Sequence, residues 1–303
     1  MITDTRSIYA PRYWLVWLAA ALLWCVTRLP FGWQLAIGRL FGYCIFVFGT
    51  ERRLITRTNL ELCFPALSAN EYRRLTRAHM VSLGIAVIET ALGWWGTDRK
   101  LRRLVTISGL ENLDTALQQG KGVLLLSAHF TTLEIGGRLL ALYAPFHVLY
   151  RRNKNPVLEF LTKKYRTRLY EYAIERGDLR TMIKSLGNNR PVWYAPDQDF
   201  GSDNSIFVPF FGVPAATLTA TSRLARITGA RVVPFFQVRL PGSRGYRLTL
   251  QPALEQFPGN SIETDTRRII KLVEDRVREC PEQYLWAHRR FKTRPPGATP
   301  VYK

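Results

Sequence analysis

Four short apolar runs in the middle of the chain constrain its fold more than any other sequence feature. They cover residues 122–127, 147–150, 192–195 and 231–238, and helical patterns at 131–142, 156–170, 178–187 and 217–228 separate them. Strand-length segments that are apolar throughout are typical of a parallel sheet covered by helices on both faces. We therefore predict an α/β fold with a mostly parallel central sheet flanked by helices, a hairpin near Gly242 and Gly245, and a final helix at 261–279.

A membrane signal precedes this domain. Residues 13–27 carry no charge, and as a helix they would be about 22 Å long at ~1.5 Å per residue, short of the ~30 Å hydrocarbon core. Trp14, Trp17 and Trp24 favour the headgroup level, and a second apolar stretch at 31–48 is broken only by Arg39. A short spanning helix and an interfacial helix both remain open, and a cleavable signal peptide is disfavoured because apolar residues continue past 19–21.

The predicted organisation has three parts. Residues 1–30 form an N-terminal membrane anchor, 31–100 a helical membrane-proximal segment, and 101–303 the α/β catalytic domain. Within the second part, Ser68 and Glu71 form a capping box that opens a helix to about residue 92. Arginines crowd the C-terminal side of the anchor at positions 28, 39, 52, 53 and 57, so the positive-inside rule places the remaining chain in the cytoplasm.

The net charge of +20 and a pI near 10.3 require an anionic partner. Nucleic acid, a phosphorylated lipid surface and an acidic carrier protein all fit. Of the 43 cations, 34 are Arg and 9 are Lys, which favours bidentate binding of phosphate, although a GC-rich genome produces the same excess.

Composition excludes other classes of protein. With 47% apolar and 22% charged residues, the chain is not disordered, and 303 residues suffice for a sizeable core. The four cysteines are far apart and form no C-x-x-C pair. This spacing excludes a zinc knuckle or a redox pair and favours a reducing compartment.

The first candidate for chemistry lies where the run at 122–127 ends. His129 follows it directly, and Glu134 stands five residues later at the start of a helix. A carboxylate in the first helical turn could hold the imidazole in one tautomer, as a general base for a hydroxyl nucleophile requires. The alternative is structural: residues 131–134 also fit a capping box, with His129 a buried histidine. This segment alone leaves both interpretations open.

Further blocks carry a family resemblance. His129 and Glu134 are followed by Arg151, by an acidic Pro-x block at 195–199 and by Val233-Pro234, the order found in glycerolipid acyltransferases. The chain more closely resembles the secondary acyltransferases of lipid A biosynthesis, of the lauroyl type. Seven blocks carry this resemblance: 11–15, 59–65, 129–134, 150–156, 193–201, 205–212 and 282–295. One departure is Arg152, where the family pattern has Pro.

The resemblance implies a reaction and its partners. It implies transfer of a medium-chain acyl group, lauroyl in the type case, from acyl carrier protein to the 3-hydroxyl of a hydroxyacyl chain on a Kdo-bearing lipid A precursor. Both partners are anionic, and the acceptor lies in the inner leaflet of the inner membrane. We expect no cofactor, no metal, no covalent acyl-enzyme and no nucleic-acid partner.

The resemblance also implies roles for particular residues. His129 acts as general base and Glu134 orients it, while backbone amides near Thr132, or Arg151, stabilise the oxyanion. The residues expected to bind substrate are Arg151, Arg176, Asp197, Gln198 and Asp199; the two aspartates accept hydrogen bonds from the sugar or from arginines and do not bind a metal. The cluster Arg289, Arg290, Lys292 and Arg294 suits the carrier protein or lipid headgroups, or is a solvated basic tail.

Two other functions remain as alternatives. A glycerol-phosphate or lysophospholipid acyltransferase would use the same His129 and Glu134. A membrane-attached nucleic-acid binder would use the charge of +20, but the chain has no recognisable binding motif for it.

Overall fold

A computed structural model describes residues 8–302 of the chain. The helices are α1 (Trp14–Val26), α2 (Phe31–Phe48), α3 (Thr50–Cys63), α4 (Ala69–Trp95), α5 (Asp98–Arg102), α6 (Leu110–Leu117), α7 (Leu133–Leu140), α8 (Pro156–Leu169), α9 (Leu179–Gly187), α10 (Ala220–Thr228) and α11 (Ile262–Glu279). The strands are β1 (Val105–Ser108), β2 (Val123–Leu126), β3 (His147–Tyr150), β4 (Tyr172–Glu175), β5 (Pro191–Tyr194), β6 (Ser205–Phe210), β7 (Val213–Leu218), β8 (Arg231–Arg239) and β9 (Tyr246–Leu250).

The main sheet has the order β1-β9-β8-β2-β5-β3-β4. Every neighbouring pair is parallel except β8 and β9, which form an antiparallel hairpin through the turn that contains Gly242 and Gly245. The predicted α/β class, the mostly parallel sheet and the hairpin are thus confirmed. A separate two-stranded antiparallel sheet, β6 with β7, was not predicted.

The central strand β2 explains why the predicted runs are apolar throughout. All four of its residues are fully buried, and alternate side chains enter cores on opposite faces of the sheet. Val123 and Leu125 pack with α7, whereas Leu124 and Leu126 pack with residues of α9, α10 and α11. Helices on both faces leave no side of this strand for water.

A glycine crossing joins α2 to α4. Gly38 and Gly42 of α2 lie against the backbone of α4 around Gly84, and a Cβ at Gly84 would overlap the backbone of Gly42. Small residues spaced four apart allow two helices to approach this closely. The capping box that begins α4 is confirmed, with the Ser68 side chain accepting from the Glu71 N–H and Glu71 accepting from the Ser68 N–H.

Within the described residues, α2 and α4 are long and apolar enough to cross a membrane by length and composition. They differ in burial, because the apolar window of α4 is 56% buried and that of α2 is 22% buried. The buried side of α4 also carries His79, Ser82 and Glu89. We therefore interpret α4 as a core helix of the catalytic domain.

The N-terminal apolar helix expected from the sequence is present as α1. One of its sides packs on α8 and the end of α4, through contacts that include Trp17 and Phe160 with ring centroids 6.3 Å apart. The opposite side of α1 and much of α2 expose large apolar side chains: Trp14, Leu15, Leu18, Leu22, Trp24, Trp33, Leu40, Phe41, Tyr43, Val47 and Phe48. We call this set the apolar face.

The division into an anchor at 1–30, a helical segment at 31–100 and a catalytic domain at 101–303 stays a prediction. Residues 1–7 of the predicted anchor lie outside the described residues. The helices α2 to α5 occupy the second part, and Leu92 of α4 shares a hydrophobic core with the sheet.

Candidate active site

The sheet gathers the predicted site residues at one edge. Strands β2, β5, β3 and β4 are consecutive neighbours, and they run parallel. His129 follows the carboxyl end of β2, Asp197 that of β5, Arg151 that of β3 and Arg176 that of β4. Ligands of open parallel sheets bind beyond the carboxyl ends of the strands, so the topology places these four residues where a ligand is expected.

Asp197 holds His129 in two ways. Its Oδ1 lies 2.7 Å from His129 Nδ1, and its Oδ2 accepts the backbone N–H of His129 at 3.0 Å. The Asp197 carboxylate is 1% exposed, behind the imidazole. Burial raises the pKa of Asp197, but the charge and hydrogen bonds of His129 outweigh it, so the net shift of this pKa is downward. An ionised Asp197 fixes the protonated nitrogen of neutral His129 at Nδ1 and leaves Nε2 as the acceptor, as general-base catalysis requires.

The backbone next to His129 is held by the C-terminal segment. Leu285 N–H donates to the carbonyl of His129 at 2.9 Å, and Thr131 N–H donates to the carbonyl of Gln283 at 2.7 Å. Phe130 and Tyr284 form the antiparallel bridge between these segments. Residues 283–285 therefore hold the backbone around His129, although they lie more than 150 positions away in the sequence.

Glu134 lies in the first helical turn as predicted, but it does not make the predicted contact with His129. It lies in the first turn of α7, where its carboxylate forms an ion pair with Arg166 of α8. The predicted hydrogen bond between Glu134 and His129 is not formed, because Asp197 already occupies Nδ1. The alternative capping box is not formed either: the N-cap is Thr132, which makes no side-chain cap, and Thr131 Oγ1 contacts Ser82 instead. His129 and Glu134 still line the same cleft.

This cleft has a volume of about 880 Å³, within the range of small-molecule sites. One part of its wall is apolar and includes Val148, Leu149, Met182, Leu218 and Leu224. The charged residues of the lining are the cations Arg151, Arg152, Arg166 and Arg176 and the acidic residues Glu134, Glu175 and Asp178. The lining thus includes side chains that suit an apolar chain and side chains that suit an anionic group.

Arg151, Arg176 and Gln198 lie in the cleft as predicted substrate-binding residues should. The Arg176 guanidinium stacks on Phe200, 4.0 Å from the ring centroid. Burial and then the charge of Arg151 lower the pKa of Arg176 from its usual value. Two guanidinium groups that repel each other in this way gain a common favourable partner when an anion binds between them.

Asp197 and Asp199, both predicted to bind substrate, have protein partners in the structure. Asp197 binds the imidazole and the backbone N–H of His129. Asp199 accepts from the N–H and hydroxyl of Thr293 at 2.7 and 2.8 Å, and its own N–H donates to His288 Nε2 at 3.1 Å. Asp199 therefore fastens the loop after β5 to the C-terminal segment.

The basic cluster at 289–294 divides into different environments. Arg290 is 2% exposed and donates to the carbonyl of Ala216 and the hydroxyl of Thr217. It is a core residue, which corrects the expectation that it binds a partner or is solvated. Arg289 is partly exposed and contacts Glu51 at 3.3 Å.

Two of the backbone amides near Thr132 already donate hydrogen bonds within the protein. The N–H of Thr131 donates to Gln283, and the N–H of Leu133 donates to Phe130. Arg151, the other candidate for oxyanion stabilisation, is exposed at the cleft. Its role stays a prediction.

Sequence reasoning missed Arg166 and the pairing of Asp197 with His129. Arg166 is one of several cations on α8, and only its place next to the buried residues Val157, Leu161 and Tyr165 distinguishes it. The signal for Asp197 is that it follows the carboxyl end of a strand, as His129 does, but the adjacency of β2 and β5 is not visible in the sequence.

The fold and site together define an α/β enzyme whose histidine is oriented by a buried carboxylate at the carboxyl edge of a parallel sheet. The sequence profile of the bacterial lipid A biosynthesis acyltransferases matches residues 2–293. The chain belongs to this family and is an acyltransferase of lipid A biosynthesis, which confirms the resemblance and favours an enzyme over a nucleic-acid binder.

Curated relatives align over nearly the whole chain. The lipid A biosynthesis lauroyltransferase of Escherichia coli K12 is 40% identical over 98% of both chains. The palmitoleoyltransferase of the same organism is 38% identical over 98% of this chain and 97% of its own, and the myristoyltransferase is 30% identical over 98% and 93%. A 1-acyl-sn-glycerophosphate acyltransferase structure from Thermotoga maritima covers 82% of this chain and 97% of its own at TM-score 0.39 and 15% identity.

Proposed function

We propose that this enzyme transfers a medium-chain acyl group, lauroyl in the first instance, from acyl carrier protein to a hydroxyacyl chain on a Kdo-bearing lipid A precursor. The observation that carries the proposal is the pairing of His129 with buried Asp197 beside a cleft lined by apolar residues and by four arginines. The apolar residues suit a hydrocarbon chain, and the arginines suit a phosphorylated partner.

The chemical step requires one base. Nε2 of His129 removes the proton of the acceptor 3-hydroxyl as its oxygen attacks the thioester carbonyl carbon. The C–S bond then breaks, the new ester forms, and the imidazolium returns its proton to the departing thiolate of the carrier. Asp197 stabilises the imidazolium in between, and Glu134 with Arg166 lies beside the reacting groups as part of the cleft wall.

Arg151 and Arg176 are proposed to hold a phosphate of the substrate, and Gln198 a neighbouring polar group. Arg151 and Arg176 follow the carboxyl ends of the adjacent strands β3 and β4, and both line the cleft. Planar guanidinium forks bind phosphate oxygens in pairs, which a lysine does not reproduce.

We also propose that the enzyme lies on the cytoplasmic face of the inner membrane and that the apolar face enters one leaflet. Helix α2 packs along α4, a core helix, so lipid cannot surround it as it surrounds a spanning helix. Arg39 is exposed midway along α2, a position that would be costly at the centre of a bilayer. Arg28, stacked 4.5 Å over Trp24, lies at the end of α1 and suits the headgroup level.

Purified enzyme with acyl carrier protein thioesters tests the reaction. We expect a product heavier by one acyl chain with the Kdo-bearing acceptor, none with His129→Ala, and little with glycerol 3-phosphate or a lysophospholipid. Preferred acylation of either glycerolipid would replace the proposal with the other acyltransferase activity. Comparing lauroyl with palmitoleoyl and myristoyl donors determines the chain length.

The membrane arrangement has its own test. A tag placed before Met1 should stay protected when protease is added to spheroplasts with an intact inner membrane. The proposal keeps the tag in the cytoplasm, because α1 does not cross the bilayer. Digestion of the tag with the rest of the chain intact would show that α1 spans the bilayer.

A further inference from the structure

The loop that carries His129 has a further contact that the reaction itself does not use. Thr131, two residues after His129, places its Oγ1 2.7 Å from the Oγ of Ser82 on α4. Both residues are buried, Ser82 at 2% and Thr131 at 8% exposure. This contact joins the catalytic loop to a helix that supplies no residue to the cleft lining.

Ser82 is in turn held by a buried ion pair. Arg239, the last residue of β8, donates from Nη1 to Ser82 Oγ at 3.0 Å. The same guanidinium binds Glu89 of α4 through Nε at 2.6 Å and Nη2 at 2.7 Å, and Tyr246 donates its hydroxyl to Glu89 at 2.8 Å. Ser82 and Glu89 are seven residues apart, so they lie on one side of α4.

The contact with Arg239 determines which role the hydroxyl group of Ser82 takes toward Thr131. A guanidinium only donates, so Ser82 Oγ accepts from Arg239 and its own hydrogen is available for Thr131. Removing the Ser82 hydroxyl therefore leaves Thr131 without this partner and leaves one guanidinium N–H unpaired.

Gln283 joins the backbone of Arg239 to the backbone of the loop. Its Oε1 accepts the N–H of Arg239 at 2.9 Å, and its Nε2 donates to the Arg239 carbonyl at 3.1 Å. The Gln283 carbonyl accepts the N–H of Thr131. Arg239 thus reaches Thr131 by two routes, one through Ser82 and one through Gln283.

A buried ion pair is a weak source of stability, because the desolvation of both charges offsets their attraction. In this position the ion pair serves to orient the Arg239 side chain. A bidentate contact fixes the guanidinium plane, and this plane fixes the direction in which Nη1 meets Ser82.

We propose that Ser82, oriented by the Glu89–Arg239 pair, is a positioning residue that holds Thr131, and with it His129, for acyl transfer. This inference rests on the proposed function only in taking His129 as the base. It assigns to α4, the helix that also packs on α2, an indirect part in catalysis through the contact of Ser82 with Thr131.

Two substitutions that remove one hydroxyl each test the proposal. We expect Ser82→Ala and Thr131→Val each to lower kcat by about 3- to 10-fold, the effect of one lost hydrogen bond, with KM for both substrates within about twofold. Thr131→Ser keeps the hydroxyl and should retain most of the parental kcat. The double variant Ser82→Ala with Thr131→Val should be no slower than the slower single variant, because both remove the same contact.

Ser222→Ala is the matched control. Ser222 is also buried, and its hydroxyl donates to Asp265 of α11 at 2.6 Å, a contact outside the catalytic loop. We expect this variant to lower Tm by a few degrees with parental kcat at temperatures well below Tm.

Several results would overturn the proposal. These are parental kcat in Ser82→Ala, a double variant whose loss is the product of the single losses, or a Thr131→Ser enzyme as slow as Thr131→Val. A parent enzyme that fails to transfer any acyl group would instead reject the proposed function, so the two failures are distinguishable.

Discussion

The wall of the cleft that carries His129 and the wall that carries Arg151 differ in how their side chains are held. On the first wall, the imidazole is bound by a carboxylate with 1% exposure, and its backbone is bound on both sides. On the second wall, Arg151 and Arg176 are exposed at the ends of β3 and β4.

This difference separates two tasks. A reacting group must keep its geometry before substrate arrives, so it is placed by buried contacts. A group that binds an anion can rotate toward it, so exposure is tolerated. We therefore expect substitutions on the first wall to lower kcat and substitutions on the second wall to raise KM.

The largest expected effect is that of Asp197→Asn. The amide cannot stabilise the imidazolium and no longer enforces the tautomer of His129, so kcat should fall on the order of 10² to 10⁴. Activity and thermal unfolding should be measured together, because Tm should change by only a few degrees. Asp199→Asn on the same loop is the comparison, and we expect a much smaller loss. Equal losses in the two variants would contradict a special role for Asp197.

Glu134→Gln is expected to have an intermediate effect. It removes the ion pair with Arg166, a partly buried cation, and so displaces the wall next to the reacting groups. We expect kcat to fall roughly 10- to 100-fold, because a charge-assisted contact is worth about 1.5–3 kcal/mol. Arg166→Gln should give a similar loss, and the double variant should add little. If Glu134→Gln alone is as slow as Asp197→Asn, Glu134 acts on His129 directly.

Arg151→Lys tests the second wall. Lysine keeps the charge but cannot form a bidentate contact, so KM for the lipid acceptor should rise about tenfold while kcat changes little. Arg180→Lys, at an exposed position of α9 that does not line the cleft, is the matched control and should match the parent. Steady-state kinetics over a range of acceptor concentrations measure both constants. A fall in kcat at parental KM would place Arg151 among the reacting groups.

The smallest expected effect is a change of stability with pH. Burial lowers the pKa of His288 and of His79 to about 4 from an ordinary 6.5. Between pH 6.5 and 4, the unfolded chain therefore binds protons that the folded chain does not, so the free energy of unfolding decreases as the pH falls. The slope is at most about 1.4 kcal/mol per pH unit for each histidine.

Urea unfolding at pH 7, 5.5 and 4.5 measures this slope. His288→Gln, which keeps an acceptor for the Asp199 N–H, should reduce it by about half. A parental slope in this variant would show that His288 does not titrate over this range.

The central strands could be predicted from the sequence, and the edge strands could not. Both faces of β2 are buried, so its residues form a continuous apolar run. The sheet ends in β1 and β4, each with two exposed residues of four, and such short segments carry no comparable signal.

The residues of the site were largely predictable, but their pairing was not. His129, Asp197, Arg151 and Arg176 each follow a strand in the sequence. Which carboxylate reaches the imidazole depends on β5 being the neighbour of β2, a long-range pairing that no local pattern encodes. Glu134 is closer in sequence, but its position on α7 directs it to α8.

The contacts of residues 283–293 with the catalytic loop set an order of events during synthesis. Proteins are made from the N-terminus at about 5–20 residues per second, so roughly 8 to 30 seconds separate the appearance of residue 129 from that of residue 283. Helices α1 and α2 leave the ribosome first and can reach the lipid surface, while the carbonyl of His129 still lacks Leu285 and Asp199 lacks Thr293. If the enzyme lies on the membrane as proposed, the nascent chain would reach lipid before the contacts around His129 are complete, and it would gain activity only when translation is nearly finished.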